Sequence, residues 1–312
     1  MQRSILIFFV ASILSLAAAC SSDEAKSGLV ASADDDLSET GQLPGSGSAA
    51  ALRVSAAVDN VNLEPYRFSW NITLGGLEGF DGEVSLGVIG QVDPAGEQIS
   101  ISIDFSSLFE AISTLPTEDE MDAEILSMFS GDEPVQMVIS EGAAYLRWSA
   151  FTELFGVTTP WVLIPMDDVQ TGFGEFADPS AFLEVLGEVL DLTEVGRETI
   201  DGDQVTHYTG VLDPMAAAAL ADPAAVAGVV VDGSIPTIDD VPMDIWIDDS
   251  DRLRRFSVFV DAADFDEGLG SFSAVFNFGD FGEPVTISAP APDEVTDMTD
   301  VTAGISELSE SY

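Results

Sequence analysis

The chain has 312 residues, with 56 Asp and Glu against 9 Lys and Arg, for a formal net charge of −47 at neutral pH. A surface this acidic repels phosphate backbones, which excludes nucleic-acid binding, and it stands off from anionic lipid head groups for the same reason. One cysteine, Cys20, excludes an intrachain disulfide, so the fold must rest on its own core.

Residues 5–16 are almost wholly apolar, preceded by Arg3 and followed by Ala17, Ala18 and Ala19. That charged, apolar, small-residue order predicts a secretory signal peptide over residues 1–19. Its apolar part is about a dozen residues, short of the roughly 20 that cross a bilayer as a helix. Two cleavages are consistent with it. Ala17-x-Ala19 suits an ordinary signal peptidase and leaves Cys20 as a free thiol. Alternatively, Ala17-Ala18-Ala19-Cys20 is similar to a bacterial lipobox, with Ala17 where leucine is usual. The second is preferred, because an exposed lone thiol is a reactive liability and an acylated one is an anchor. Residues 20–49 then follow as a flexible acidic tether rich in Asp, Ser and Gly, too polar to offset chain entropy. The expected organisation is a single body over 50–297 and a flexible acidic tail over 298–312, exported and held at the outer face of the cell membrane. The acidity itself matches solubility in strong salt, where charges are screened over about 3 Å at 1 M.

Within the body, period-two alternation dominates. Phe68, Trp70, Ile72 and Leu74 alternate with polar residues, as do Ile99, Ile101, Ile103 and Phe105. Residues 135–139, 243–247 and 272–278 repeat the pattern, and each such run predicts a strand with one buried and one wetter face. Turn signals fall between runs at Glu141-Gly142, at Asp201-Gly202 and at "DDSD" (248–251), joining neighbours as antiparallel hairpins. The pattern predicts roughly nine or ten strands.

Helices are fewer. Asp178 and Pro179 begin a stretch that puts Phe182, Val185, Leu186, Val189 and Leu190 on one helical face. Residues 213–228 and 107–129 hold two further candidates, the latter broken at Pro116. Two or three short helices cannot cover the apolar face of so many strands. Either the sheet folds over itself as a sandwich, or it curls into a half-barrel with a partly open apolar interior.

Catalytic and metal signals are weak. The one histidine, His207, lies in a predicted strand, where a structural role is the default. No G-x-S-x-G elbow, H-E-x-x-H or phosphate-cradling glycine loop occurs, and zinc lacks its usual ligands. "DDSD" lacks the ligand spacing of a calcium loop and reads as a hairpin turn. Arg252, Arg254 and Arg255 are three of the nine basic residues. They could grip a phosphorylated head group, but on a strand Arg252 and Arg254 share a face and balance nearby aspartates. Trp70, Trp148, Trp161 and Trp246 read as core before they read as a ligand site. No cofactor, metal or enzymatic activity is called for.

Three stretches occur together in order: "ETIDGDQVTHYTGVLDP" (198–214), "VPMDIWIDDSDRLRRFSV" (241–258) and "FNFGDFGEPVTISAPAPDEVTD" (276–297). Behind a lipobox-like cysteine, this resembles the actinobacterial LppX/LprAFG lipoprotein family, whose fold is similar to that of the lipoprotein carrier LolA. The resemblance is clearest over 193–297. It implies a mainly β, α+β fold: a strongly curved antiparallel half-barrel with a few helices over its concave face. It also implies an apolar cavity for an acylated lipid or glycolipid, with Trp70, Ile72, Ile101, Ile103, Ile245 and Phe276 pointing inward. Phe182, Leu186 and Leu190 would sit on a covering helix. The partners expected are a lipid and, through Cys20, the membrane, with the body a monomer. The alternative is an envelope interaction protein whose core is filled and whose partner is another protein; a hydrolase ranks third.

Overall fold

The computed structural model describes residues 49–75, 82–114, 133–149, 156–164, 183, 186, 189–212, 241–260 and 271–298. Cys20 and Phe182 lie outside them, as do the helix candidate at 213–228 and nearly all of the tether and of the tail. Helix α1 (Ala49–Val61) opens the body, followed by β1 (Tyr66–Gly75), β2 (Glu83–Asp93) and β3 (Gln98–Asp104). Then come helix α2 (Ser106–Thr114), β4 (Val135–Ser140), β5 (Ala143–Arg147) and β6 (Trp161–Ile164). The chain continues through β7 (Val189–Ile200), β8 (Asp203–Leu212), β9 (Val241–Asp248), β10 (Leu253–Val260), β11 (Ser271–Gly279) and β12 (Val295–Asp297).

All twelve strands belong to one sheet, in the order β12-β6-β5-β4-β3-β2-β1-β11-β10-β9-β8-β7. Its ends, β12 and β7, do not pair with each other, so the sheet is curved but unclosed. The half-barrel expectation holds and the sandwich does not, because no second sheet exists among the described residues to pack on the first. The strand count exceeds the expected nine or ten. β6 has 4 residues and β12 has 3, too few to show alternation.

The hairpin turns follow from their residues. Glu141 and Gly142 both have positive φ (57° and 74°), as do Asp201 and Gly202 (51° and 94°). Two consecutive positive φ values match the twist of the flanking strands, and glycine at the second position takes that conformation without strain. "DDSD" is a turn as expected: Asp248 Oδ1 accepts from the backbone N–H of Ser250 (2.8 Å) and of Arg252 (3.0 Å).

One helix prediction is corrected. Leu183 and Leu186 are helical and buried, but Val189 and Leu190 belong to β7, opposite Leu212 and Val211 of β8. Leu190 is therefore on the edge strand and not on a covering helix. From Leu190 the sequence runs Leu-Asp-Leu-Thr, which alternates, and pairing with β8 is interrupted by a bulge at Asp191 (φ 53°) and resumes at Thr193.

Helix α1 carries Val54, Ala57 and Val61 at the i, i+3, i+7 spacing of one face, and all three are buried. It lies against β7, β9 and β10, whereas α2 lies against β2. Arg53 fastens α1 to the sheet. Its Nη1 donates to Thr206 Oγ1 (3.0 Å) and Tyr208 Oη (3.1 Å), its Nη2 to the Asp248 carbonyl (2.9 Å), and its Nε to Asp251 Oδ1 (2.8 Å). Burial works against this charge, but the hydrogen bonds to Asp251 and Tyr208 outweigh it and hold the guanidinium pKa above its ordinary value.

Candidate apolar binding face

Strand alternation sends Tyr66, Phe68, Trp70 and Ile72 to one face of β1. Register then extends that face sideways. Trp70 lies opposite Val88 and Phe276; Val88 faces Ile103, which faces Val135. On the other side Phe276 faces Phe256, Phe256 faces Ile245, and Ile245 faces Tyr208. One row of buried side chains thus crosses eight strands without a charge in it. Ile101 extends the neighbouring row, opposite Gly90 and Met137.

The two ends of this face differ. Towards the β9–β10 turn it is aromatic and tightly filled. Phe256 stacks on Phe276 at 4.2 Å, Trp70 lies 5.4 Å from Phe276 and 5.0 Å from Phe68, and Tyr66 lies 6.0 Å from Phe278. Gly90 makes room for this packing, since a Cβ there would lie 2.3 Å from Phe68 Cζ. Away from that turn the face is mixed: Val84, Val258, Val260 and Ala274 are buried, whereas three of their neighbours are only half-buried. Ile72, opposite Leu86 and Ala274, packs against the core without being sealed by it, as do Leu86 and Phe272.

The sequence-derived cavity residues are therefore brought together in large part. Trp70, Ile101, Ile103, Ile245 and Phe276 are buried on one face, with Ile72 half-buried beside them. Leu186 belongs to the same core cluster, and Leu190 lies on the edge strand. Leu183, which the helical-face reading passed over, is buried as deeply as Leu186; its i, i+3 spacing to Leu186 was the available signal. Arg53 and the α1 face were missed because Ala49–Val61 adjoins the polar tether and carries mostly small residues.

The opposite face is largely polar, with Ile89 and Phe259 exposed on it. Its corresponding row runs Ser102, Ile89, Ser69, Asn277, Arg255, Trp246, His207. Arg255 Nε donates to Asn277 Oδ1 (2.6 Å), Asn277 Nδ2 to Ser69 Oγ (3.3 Å), and Arg255 lies over Trp246 at 5.8 Å. His207 stacks on Trp246 at 4.5 Å, with its two ring nitrogens 2.8 Å from Glu198 Oε1 and Asp244 Oδ1. Among the described residues, no serine or cysteine joins these contacts. His207 is a cross-strand fastener, as the structural reading expected.

The arginine cluster is likewise committed. Arg252 pairs with Glu64 (3.0 Å), Arg254 with Asp203 (2.7 Å) and Asp248 (3.6 Å), and both lie over the Phe281 ring. Every arginine among the described residues has a carboxylate or amide partner, Arg197 pairing with Asp249 and Arg147 with Glu133. Arg252 and Arg254 balance neighbouring acids, and an anionic head group would have to displace those partners.

An unclosed half-barrel with an apolar concave face is thus the class of molecule defined by fold and site. Among solved structures, the chain is similar to the lipoprotein LppX of Mycobacterium tuberculosis, at 16% identity over 77% of this chain and 98% of the other, with a TM-score of 0.44. It is similar to LprF of Mycobacterium bovis at 18% identity, over 78% and 97% of the two chains, with a TM-score of 0.44. A LolA-superfamily protein of Nitrosomonas europaea aligns over 79% and 96%, at 12% identity and a TM-score of 0.25. No family model matches the chain, and no curated protein does.

Proposed function

We propose that the chain is an exported, non-catalytic lipoprotein, anchored through Cys20, that holds an acylated lipid or glycolipid against its concave face and carries or presents it in the cell envelope. The observation that carries this reading is the uncharged inner row across eight strands, continued by half-buried Ile72, Leu86 and Phe272. An acyl chain laid against the half-buried Ile72, Leu86 and Phe272 would gain roughly 0.8 kcal/mol per buried methylene. The head group would stay outside, near water and near the acidic surface.

The test is mass spectrometry of an organic extract of the purified body, alongside the intact N-terminus. Expected are an acyl mass on Cys20 and stoichiometric lipid in the extract. Ile103→Trp, which fills the inner row, should remove that lipid, and Ile89→Ser, on the exposed outer face, should keep it. Retained lipid in a folded Ile103→Trp protein would count against the assignment. A second reading, an envelope interaction protein with a filled core, is favoured by the stacked Phe256–Phe276 end. Acylated Cys20 with an empty extract would select it.

A further inference from the structure

Strand β12 is the sheet's one parallel neighbour among the described strands, pairing Val295, Thr296 and Asp297 with Trp161, Val162 and Leu163 of β6. It arrives from β11, seven positions away in the sheet. Seven strand spacings of about 4.8 Å come to roughly 34 Å, and the residues between the two strands, 280–294, reach at most roughly 50 Å when extended. A turn closed by the Glu283 N–H on the Asp280 carbonyl (3.1 Å) and the 3-10 helix Pro292–Glu294 shorten that reach, so the connection crosses the width of β1–β6 with little chain to spare.

It is fastened along the way. Gly282 N–H donates to the Pro65 carbonyl (2.8 Å), Arg67 pairs with Asp280 (3.1 Å) and donates to the Pro284 carbonyl (3.4 Å), and Gln91 donates to the Thr286 carbonyl (3.1 Å). Val285, Ile287 and Ala289 are half-buried, alternating with exposed Thr286 and Ser288. At the far end Thr296 Oγ1 meets Thr159 Oγ1 at 2.6 Å, and Met298 packs against the core.

The strands this segment spans need holding. From β3 to β6 they shorten from 7 to 6, 5 and 4 residues, and helix α1 grips β7, β9 and β10 on the other side. We propose that residues 280–297 are a belt that holds the β3–β6 wing in place. On the carrier reading that wing is one wall of the lipid site, so the belt also sets how readily an acyl chain enters.

The experiment inserts a site for a sequence-specific protease between Ser288 and Ala289 and cuts the folded body there. Amide hydrogen exchange is compared before and after cutting, together with the rate at which Nile red, a neutral apolar dye, enters. Exchange in β5 and β6 should accelerate about tenfold or more while β8–β10 stay unchanged. Thr296→Pro, which removes one N–H from β12, should reproduce the effect without cutting. Unchanged exchange in β5 and β6 would overturn the belt. So would loss of protection throughout the sheet, since the segment would then belong to the global fold. Faster exchange with unchanged dye entry would uphold the belt and count against the carrier reading alone.

Discussion

Asp104 ends β3, and its carboxylate fixes where α2 begins. Its Oδ1 accepts from the Ser106 N–H at 2.9 Å, one of the first-turn amides that a helix leaves without an internal partner. The Ser106 hydroxyl and amide together hold its pKa below the ordinary carboxylate value. A lowered folded pKa means that this contribution is present above the unfolded pKa of about 3.9 and is lost as pH falls through the folded value. Asp104→Ala should therefore cost about 1 kcal/mol near pH 7, the usual scale for a lost helix-start acceptor. Urea denaturation of both proteins should show that difference shrinking as pH falls below the unfolded value and through the lowered folded one, where the wild-type carboxylate takes up its proton. A difference independent of pH would remove the charge from this account.

At the scale of elements, α1 is held by its buried Val54, Ala57 and Val61, by Asn60 bonded to the Asp251 carbonyl (3.0 Å), and by Arg53, one side chain that reaches four acceptors. Arg53→Met keeps much of the aliphatic stem but leaves Tyr208 Oη, Thr206 Oγ1 and the Asp248 carbonyl without that donor. The expected loss is roughly 1–3 kcal/mol in urea denaturation, with hydrogen exchange accelerated in α1 and β8 before β1–β3. Equal acceleration everywhere would mean that α1 is no separate clamp. The strands of the concave face were legible in the sequence, because Phe68, Trp70, Ile72 and Ile99, Ile101, Ile103 alternate with polar residues and the face is wet on one side only. Leu190 was not, since Val185, Leu186, Val189 and Leu190 satisfy a helical period while Leu190 and Leu192 satisfy a strand period. Only pairing with β8 decides between them. The covering α1 was hidden in small residues, and β12 in a three-residue pairing that no local pattern announces.

Across the whole molecule, charge sets the conditions under which this fold is stable. The chain carries fifty-six acidic residues, the inner row has none, and the arginines among the described residues are already paired, so the remaining acids repel one another. Screening shortens the reach of that repulsion from roughly 10 Å at 0.1 M salt to about 3 Å at 1 M. The melting temperature should rise steadily with KCl over that range. Raising sucrose to the same osmolality separates screening from excluded-solute stabilisation and should give a smaller rise. A melting temperature indifferent to KCl would mean that the acids do not repel one another enough to matter in the folded state.

In the proposed function the concave face holds an acyl chain. A diacyl phospholipid with a photoactivated diazirine midway along one chain tests it most directly, with cross-linked peptides mapped by mass spectrometry. Labels should fall on β1, β3 and β11, at Ile72, Ile101, Ile103 and their neighbours. Labels on the outward Ile89 and Phe259, or no saturable labelling at all, would contradict the account.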